Sequence, residues 1–336
     1  MTQGALILAP EGLVLGDREA AFFREANPWA FILFARNFES PEQALRLTSE
    51  LRDIVGRDAP VLVDQEGGRV QRMGPPHWRQ WRPVLGLFDG ADEASALEAT
   101  RLRYRIIADE LRAVGIDVNC APLLDVLAPD GHEIIGNRAL GRDPEEVIRR
   151  GRAVSEGLKA GGVLPVIKHI PGHGRANADS HEALPVVPTP RAELEAIDFA
   201  PFRAMANEAL GMTAHVVFEA IDPGNCATLS PECIRVIRKE ICFDGLLMTD
   251  DLSMNALSGS MTERTKKSIA AGCDVILHCN GELPEMEEIA AAAPRLEGAA
   301  LRRAERAAAA RQTPDPADIH AAVARYESLT GEALNG

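Results

Sequence analysis

The chain has 336 residues, 46 % of them hydrophobic, which suffices for one large α/β domain or two smaller ones. Its 50 acidic and 36 basic residues give a formal charge of −14, which argues against a basic nucleic-acid surface and against a polybasic membrane anchor. No stretch reaches the ~18 apolar residues of a membrane span, Met1-Thr2-Gln3-Gly4-Ala5-Leu6 does not open a signal peptide, and six cysteines without a C-x-x-C pair read as free thiols, so the expected compartment is the cytoplasm.

Short apolar runs alternate with helical patterns along the chain. The first two runs are Ala5-Leu6-Ile7-Leu8 and Ala30-Phe31-Ile32-Leu33-Phe34, followed by a helix start at Ser40-Pro41, serine as N-cap and proline in the first position. Pro60-Val61-Leu62-Val63 precedes an amphipathic pattern over Leu97–Leu111. Ile116-Asp117-Val118-Asn119 precedes a helix opened by Asp143-Pro144 and running to Leu158. Leu164-Pro165-Val166-Ile167 is followed by a helix expected over Pro190–Leu210, Gly211-Met212-Thr213-Ala214 by one over Pro231–Glu240. Gly245-Leu246-Leu247-Met248 and Asp274-Val275-Ile276-Leu277 complete eight runs, most of them apolar throughout, as strands buried on both faces are. The alternation predicts an α/β fold, a single (β/α)8 barrel with its core over about residues 1–283 of one domain spanning 1–336. An open doubly wound sheet would show the same alternation, but no G-x-G-x-x-G follows the first strand. Polar groups stand after many strands: Asp64, Asn119, Lys168-His169, His215, Asp250-Asp251 and His278. A barrel gathers all of them on one face. The tail reads as a helix over Glu285–Arg311, a break at Pro314-Asp315-Pro316 and a last helix over Ala317–Ser328, packed on the outside of the barrel.

Four segments could carry chemistry. Asp64-Gln65-Glu66-Gly67-Gly68-Arg69-Val70-Gln71-Arg72 sets carboxylates and guanidiniums on one glycine-bearing loop, suited to a polyhydroxylated ligand, or else to an ion pair that stiffens the loop. Gly131-His132-Glu133-Ile134-Ile135-Gly136-Asn137-Arg138 follows the fourth strand, and spacing alone makes Arg138 half of a surface salt bridge. Lys168 to His181 turns abruptly from an apolar strand to a Gly/Pro loop with three histidines, and a turn there could bring Asp179 to the His181 imidazole. Met248-Thr249-Asp250-Asp251 ends the seventh strand: the first carboxylate should enter the barrel mouth as a nucleophile or metal ligand, and the second could cap the next helix. A metal centre on His169, His173, Asp179, His181 and His215 is the competing reading, as in amidohydrolase barrels, but the first strand ends in Ala9-Pro10-Glu11-Gly12 without a His-x-His.

Taken together these residues resemble family 3 glycoside hydrolases, in particular the single-domain bacterial β-N-acetylglucosaminidases of peptidoglycan recycling. The likeness runs in order through Phe31-Ile32-Leu33-Phe34-Ala35-Arg36-Asn37, Val63 to Arg72, Gly115 to Pro122, Lys168-His169-x-Pro171-Gly172-His173-Gly174, Asp179-Ser180-His181, Met212-Thr213-Ala214-His215 and Asp250-Asp251-Leu252-Ser253-Met254. Asn137, Ala139-Leu140 and Ile170 stand where that family more commonly has an acidic residue, Ser-Phe and an aromatic. The resemblance implies Asp250 as nucleophile, His181 as general acid/base, Asp179 as its partner, and Asp64, Arg72, Arg138, Lys168 and His169 as the grip on N-acetylglucosamine. It implies an N-acetylglucosaminyl-1,6-anhydro-N-acetylmuramic acid substrate, with or without its peptide. The expectation is a monomer acting on this small carbohydrate, with no cofactor, metal, nucleic acid or membrane.

An imidazole titrating near ~6.5 serves both proton-transfer steps of a double displacement at neutral pH. The loop glycines Gly172 and Gly174 would let that acid/base close over bound sugar. Being neutral, it would also admit phosphate as acceptor, so a phosphorylase is the alternative enzyme. A sugar-binding barrel without catalysis is the alternative of another class.

Overall fold

The computed structural model describes residues 2–87, 90–176, 178 and 184–334; Asp179 and His181 lie outside the described residues. All eight apolar runs form strands: β1 Gly4–Leu8, β2 Pro28–Leu33, β3 Val61–Val63, β4 Val118–Asn119, β5 Leu164–Ile170, β6 Leu210–Thr213, β7 Leu246–Met248 and β8 Ile276–His278. Every neighbouring pair is parallel, in the order β7-β6-β5-β4-β3-β2-β1-β8, and a parallel bridge from Met248 to Val275 closes the ring. This is the (β/α)8 barrel that the alternation predicts.

The helices are α1 Asp17–Ala26, α2 Pro41–Val55, α3 Glu93–Ala113, α4 Pro144–Ala160, α5 Arg191–Glu193, α6 Ala200–Ala204, α7 Pro231–Lys239, α8 Met261–Ala271, α9 Leu283–Ala292, α10 Gly298–Ala309 and α11 Ile319–Thr330. The helix starts anticipated at Ser40 and Asp143 form as caps, and Ser230 caps α7 in the same way: each accepts a backbone N–H two or three residues on, with proline in the first turn. α1 and α8 are additional to the sequence reading, although Ser260 and Glu263 form a full capping box ahead of α8. The helix expected over Pro190–Leu210 is interrupted. A π-turn over Leu194–Asp198 separates α5 from α6, with the Phe199 N–H reaching back to the Leu194 carbonyl at 2.8 Å, and Leu210 already belongs to β6. Pro201, which has no N–H, opens α6 just after this widened turn.

In the tail the last helix forms as α11, but the helix expected over Glu285–Arg311 on the outside of the barrel is two, α9 and α10. α9 is the eighth helix of the barrel itself. Pro294 ends it, its carbonyl accepting the Ala5 N–H at 3.0 Å. Leu296, and Ala304 and Ala307 of α10, then join the apolar interior of the barrel. α11 packs beside α3, with the Tyr326 ring edge-on to Trp81 at 5.5 Å. No helix among the described residues is long and apolar enough to cross a membrane.

Strand parity decides which residues see the site. Ala5, Ile7, Ala30, Ile32, Leu62, Val118, Leu164, Val166, Met212, Met248 and Leu277 fill the interior, while Leu6, Leu8, Phe31, Leu33, Val61, Val63 and Ile167 face the helices. Continuing the inward alternation by one more step of two residues gives Phe34 after Ile32, Asp64 after Leu62, Lys168 after Val166, Asp250 after Met248 and Cys279 after Leu277. The outermost layer of the interior therefore carries the charged residues Asp64, Lys168 and Asp250 beside Phe34 and Cys279, at the C-terminal face.

The helices that brace β3 to β5 approach closely through glycine. A Cβ added to Gly157 of α4 would fall 2.3 Å from the Arg101 carbonyl oxygen of α3. Gly157→Ala must push α4 off α3, and urea unfolding should show a loss of about 1–3 kcal/mol despite alanine's better helix propensity. A variant as stable as the parent would contradict this packing.

Candidate active site

The outer interior layer surrounds a cavity of about 420 Å³ whose walls include Phe34, Asp64, Arg72, Ile135, Arg138, Lys168, His169, Asp250, Met254 and Cys279. Asp64, Arg72, Arg138, Lys168, His169 and Asp250, proposed from the sequence, are thus brought together from three strand ends, those of β3, β5 and β7, and the long connection after β4. Asn119, His215 and His278 are not on this wall. Asn119 is buried and clamps the loop after β3, its Oδ1 accepting the Gln65 N–H and its Nδ2 donating to the Gln65 carbonyl, both at 3.0 Å. His215 is buried against Thr228 Oγ1 at 2.8 Å and the Asp251 carbonyl at 3.0 Å. Its pKa is lowered, because burial outweighs the nearby carboxylates. His278 lies at the opposite strand parity and meets Glu285 of α9 at 2.9 Å.

Lys168 is the hub. Its Nζ donates to Asp64 Oδ1 at 2.9 Å and lies 2.5 Å from Glu66 Oε1. Arg72 contacts the other Asp64 oxygen at 3.2 Å. Arg138 holds Glu66 in a fork, Nε to Oε2 at 2.9 Å and Nη2 to Oε1 at 2.8 Å. The pair is buried, with 9 % and 5 % of the two side chains exposed, so Arg138 is not in the surface bridge that spacing suggests. Burial alone would raise both carboxyls, but the three cations outweigh it: Asp64 falls far below its usual range and Glu66 to about 2. Burial disfavours the Lys168 charge, yet the two carboxylates hold its pKa above the ordinary lysine value.

The loop after β3 is held from several sides. The Gln65 side chain accepts the Arg72 and Met73 N–H groups at 2.9 and 3.1 Å, which fixes the backbone that carries Arg72. From α3, Arg103 and Tyr104 donate to the Glu66 carbonyl at 3.0 and 3.1 Å. Gly67 has φ +98°, and a Cβ there would lie 1.9 Å from Arg103 Nη2, so only glycine fits.

Asp250 is placed differently. Its Oδ1 accepts the Asp251 N–H at 2.8 Å, and among the described residues it has no ion pair. Burial raises its pKa, but His169, His215, the Asp251 N–H and Lys168 together leave it lowered, so it is ionised at neutral pH. Asp251 faces the turn that follows. It accepts Ser253 N and Oγ at 3.0 and 2.6 Å and Cys279 N at 3.1 Å, capping a turn rather than a helix. Phe34 lies under two guanidiniums, those of Arg36 and Arg72, each 5.2 Å from the ring centroid.

Sequence reasoning passed over Glu66 as a partner of Lys168 and Arg138, the Gln65–Asn119 clamp, and Asp125. Asp125 is fully buried and binds His169, as described below. Burial of a lone carboxylate in the apolar run Ala121-Pro122-Leu123-Leu124-Asp125-Val126 was the available signal. Among the described residues no three His, Cys, Asp or Glu side chains are grouped as a metal site.

Removing Lys168 leaves two buried carboxylates short of a cation. Lys168→Met should lower unfolding stability at pH 7 by about 3–5 kcal/mol. Because the parent's folded carboxyl pKa values are depressed, their stabilisation is complete above the unfolded values near ~4 and is lost as pH falls through the folded ones. The deficit of the variant should therefore shrink below about pH 4; a deficit independent of pH would contradict the network.

The sequence profile of the glycosyl hydrolase family 3 N-terminal domain matches residues 19–311. The beta-hexosaminidase of Alkalilimnicola ehrlichii is 38 % identical over 286 residues, covering 83 % of this chain and 82 % of its own. That of Chromobacterium violaceum is 35 % identical over 351 residues, covering 100 % and 98 %. NagZ from Neisseria gonorrhoeae, solved in complex with N-trifluoroacetyl-D-glucosamine, is similar in structure with a TM-score of 0.87 and 31 % identity over 98 % of each chain. The chain belongs to glycosyl hydrolase family 3, among its β-hexosaminidases.

Proposed function

We propose that this β-N-acetylhexosaminidase is a retaining enzyme that removes terminal β-N-acetylglucosamine from N-acetylglucosaminyl-1,6-anhydro-N-acetylmuramic acid, with or without its peptide, as a cytoplasmic monomer in peptidoglycan recycling. One observation carries the reading. Of the carboxylates around the cavity, Asp64 is neutralised by Lys168 and Arg72 and Asp251 is taken up by the turn, whereas Asp250 stands ionised without a cation partner among the described residues. A carboxylate in that state can attack the anomeric carbon.

Attack by Asp250 forms a glycosyl–enzyme ester as the aglycone oxygen departs with a proton from His181. His181 then takes a proton from water, which opens the ester, and Asp179 stabilises the imidazolium and sets its tautomer. Asp64, Arg72, Arg138, Lys168 and His169 hold the sugar hydroxyls. Ion pairs among Asp64, Arg72 and Lys168, with Glu66 holding Arg138 and Asp125 holding His169, keep them in place before substrate arrives, so little ordering remains for binding. The N-trifluoroacetyl-D-glucosamine in the gonococcal NagZ structure agrees with a sugar of this class.

NMR of a chromogenic β-N-acetylglucosaminide during early turnover should show β-N-acetylglucosamine before mutarotation; initial α product would exclude double displacement. The lowered pKa of Asp250 sets a second expectation. Between pH 7 and about 4, loss of kcat/KM should not report protonation of Asp250 in the free enzyme. An acid limb near pH 5 that shifts when Asp250 alone is replaced by glutamate would contradict it.

A further inference from the structure

His169 enters the cavity from β5 with one ring nitrogen already engaged. Its Nδ1 lies 2.8 Å from Asp125 Oδ2, and the other Asp125 oxygen accepts the backbone N–H groups of His169 at 3.2 Å and His173 at 2.7 Å. Asp125 is fully buried, on the chain leaving β4, where Leu123 pairs with Lys168 and the Leu124 N–H donates to the Lys168 carbonyl at 2.7 Å. The carboxylate thus has a fixed backbone on one side and an imidazole on the other. His173 packs edge-on against the His169 ring at 5.5 Å and closes the remaining side. Burial and the neighbouring His169 lower the His173 pKa to about 4, so it is neutral and adds no charge there. The His169 Nε2 makes no hydrogen bond among the described residues, and His169 lines the cavity.

We propose that Asp125 is a positioning residue: its carboxylate keeps the proton of His169 on Nδ1, so that Nε2 faces the sugar as a hydrogen-bond acceptor for a hydroxyl group. A carboxylate cannot donate, so Nδ1 must, and a neutral imidazole with a proton on Nδ1 has its lone pair on Nε2. The choice complements the rest of the wall. Lys168, Arg72 and Arg138 offer donors alone, the oxygens of Asp64 already accept from Lys168 and Arg72, and a sugar hydroxyl that donates needs an acceptor whose direction does not vary. The same carboxylate ties the His173 N–H to this arrangement, joining the strand end to the Gly172-His173-Gly174 loop. This assignment rests on reading the cavity as the sugar site, and wild-type hydrolysis of an aryl β-N-acetylglucosaminide, measured first, tests that reading separately.

Asp125→Asn keeps an oxygen for the two backbone N–H groups but turns an amide donor toward Nδ1, which moves the imidazole proton to Nε2. A purely structural role would be rescued by asparagine. We expect kcat/KM on the aryl glycoside to fall about 100-fold with little change in melting temperature. In an His169→Gln background the same substitution should cost less than about twofold, since the imidazole it directs is gone. Activity of Asp125→Asn close to wild type, or an equal fold-loss in both backgrounds, overturns the proposal. Nitrogen-15 NMR of histidine-labelled wild-type protein supplies a readout that needs neither turnover nor a stable variant. The His169 signals should show Nδ1 protonated and Nε2 bare at neutral pH, and a proton on Nε2 overturns the assignment.

Discussion

An ammonium buried between two carboxylates organises the mouth of this barrel. Lys168 comes from β5, Asp64 and Glu66 from the loop after β3, and the Lys168 Nζ lies within 3 Å of an oxygen from each. Three charges in that position are tolerable only when paired in good geometry, because the loss of hydration would otherwise exceed the attraction. Arg72 and Arg138 follow from this requirement, since one ammonium cannot satisfy four carboxylate oxygens. The result is a rigid polar wall whose ionisation is set before any sugar binds. It leaves Asp250, on the far side of the barrel mouth at the end of β7, as a carboxylate without such a partner among the described residues.

The supports behind that wall are as specific as the wall itself. Asn119 clamps both backbone groups of Gln65, and the Gln65 side chain holds the backbone at Arg72. Arg103 and Tyr104 of α3 hold Glu66 by its carbonyl. Asp125 holds His169. These are buried, short and directional contacts, and they convert a loop after a strand into a surface as well defined as the strand. Below them the alternation of inward and outward side chains fills the barrel with apolar groups, and α10 closes its lower end.

The strands and the inward placement of Asp64, Lys168 and Asp250 were legible because both follow from local period. A run apolar on both faces marks a strand in a parallel barrel, and a polar residue two beyond the last inward position continues into the mouth. Arg138 shows where period stops helping. Its partner Glu66 lies 72 positions earlier, and spacing alone made it a surface residue. The resemblance to family 3 placed it at the sugar, and the structure puts it on the cavity wall. His278 and His215 failed in the other direction: each follows a strand, but one has outward parity and the other turns to Thr228 and the Asp251 carbonyl. The helix expected after Pro190 broke because a five-residue turn and Pro201 interrupt a pattern that still looks amphipathic. The tail misled because Ala-rich composition signals helix but not where Pro294 would pair with β1. The Asp179–His181 pair rests on the motif alone.

The central claim is that Asp250 attacks the anomeric carbon while the paired carboxylates do not. Chemical rescue tests it most directly. Asp250→Gly, incubated with a β-N-acetylglucosaminide bearing a good leaving group, should be nearly inactive, and azide should restore cleavage with α-N-acetylglucosaminyl azide as the product. The azide would then enter from the face that the missing carboxylate occupied and displace the leaving group directly. A β-configured azide from that variant, or the α-azide from an Asp64→Gly variant instead, would contradict the account.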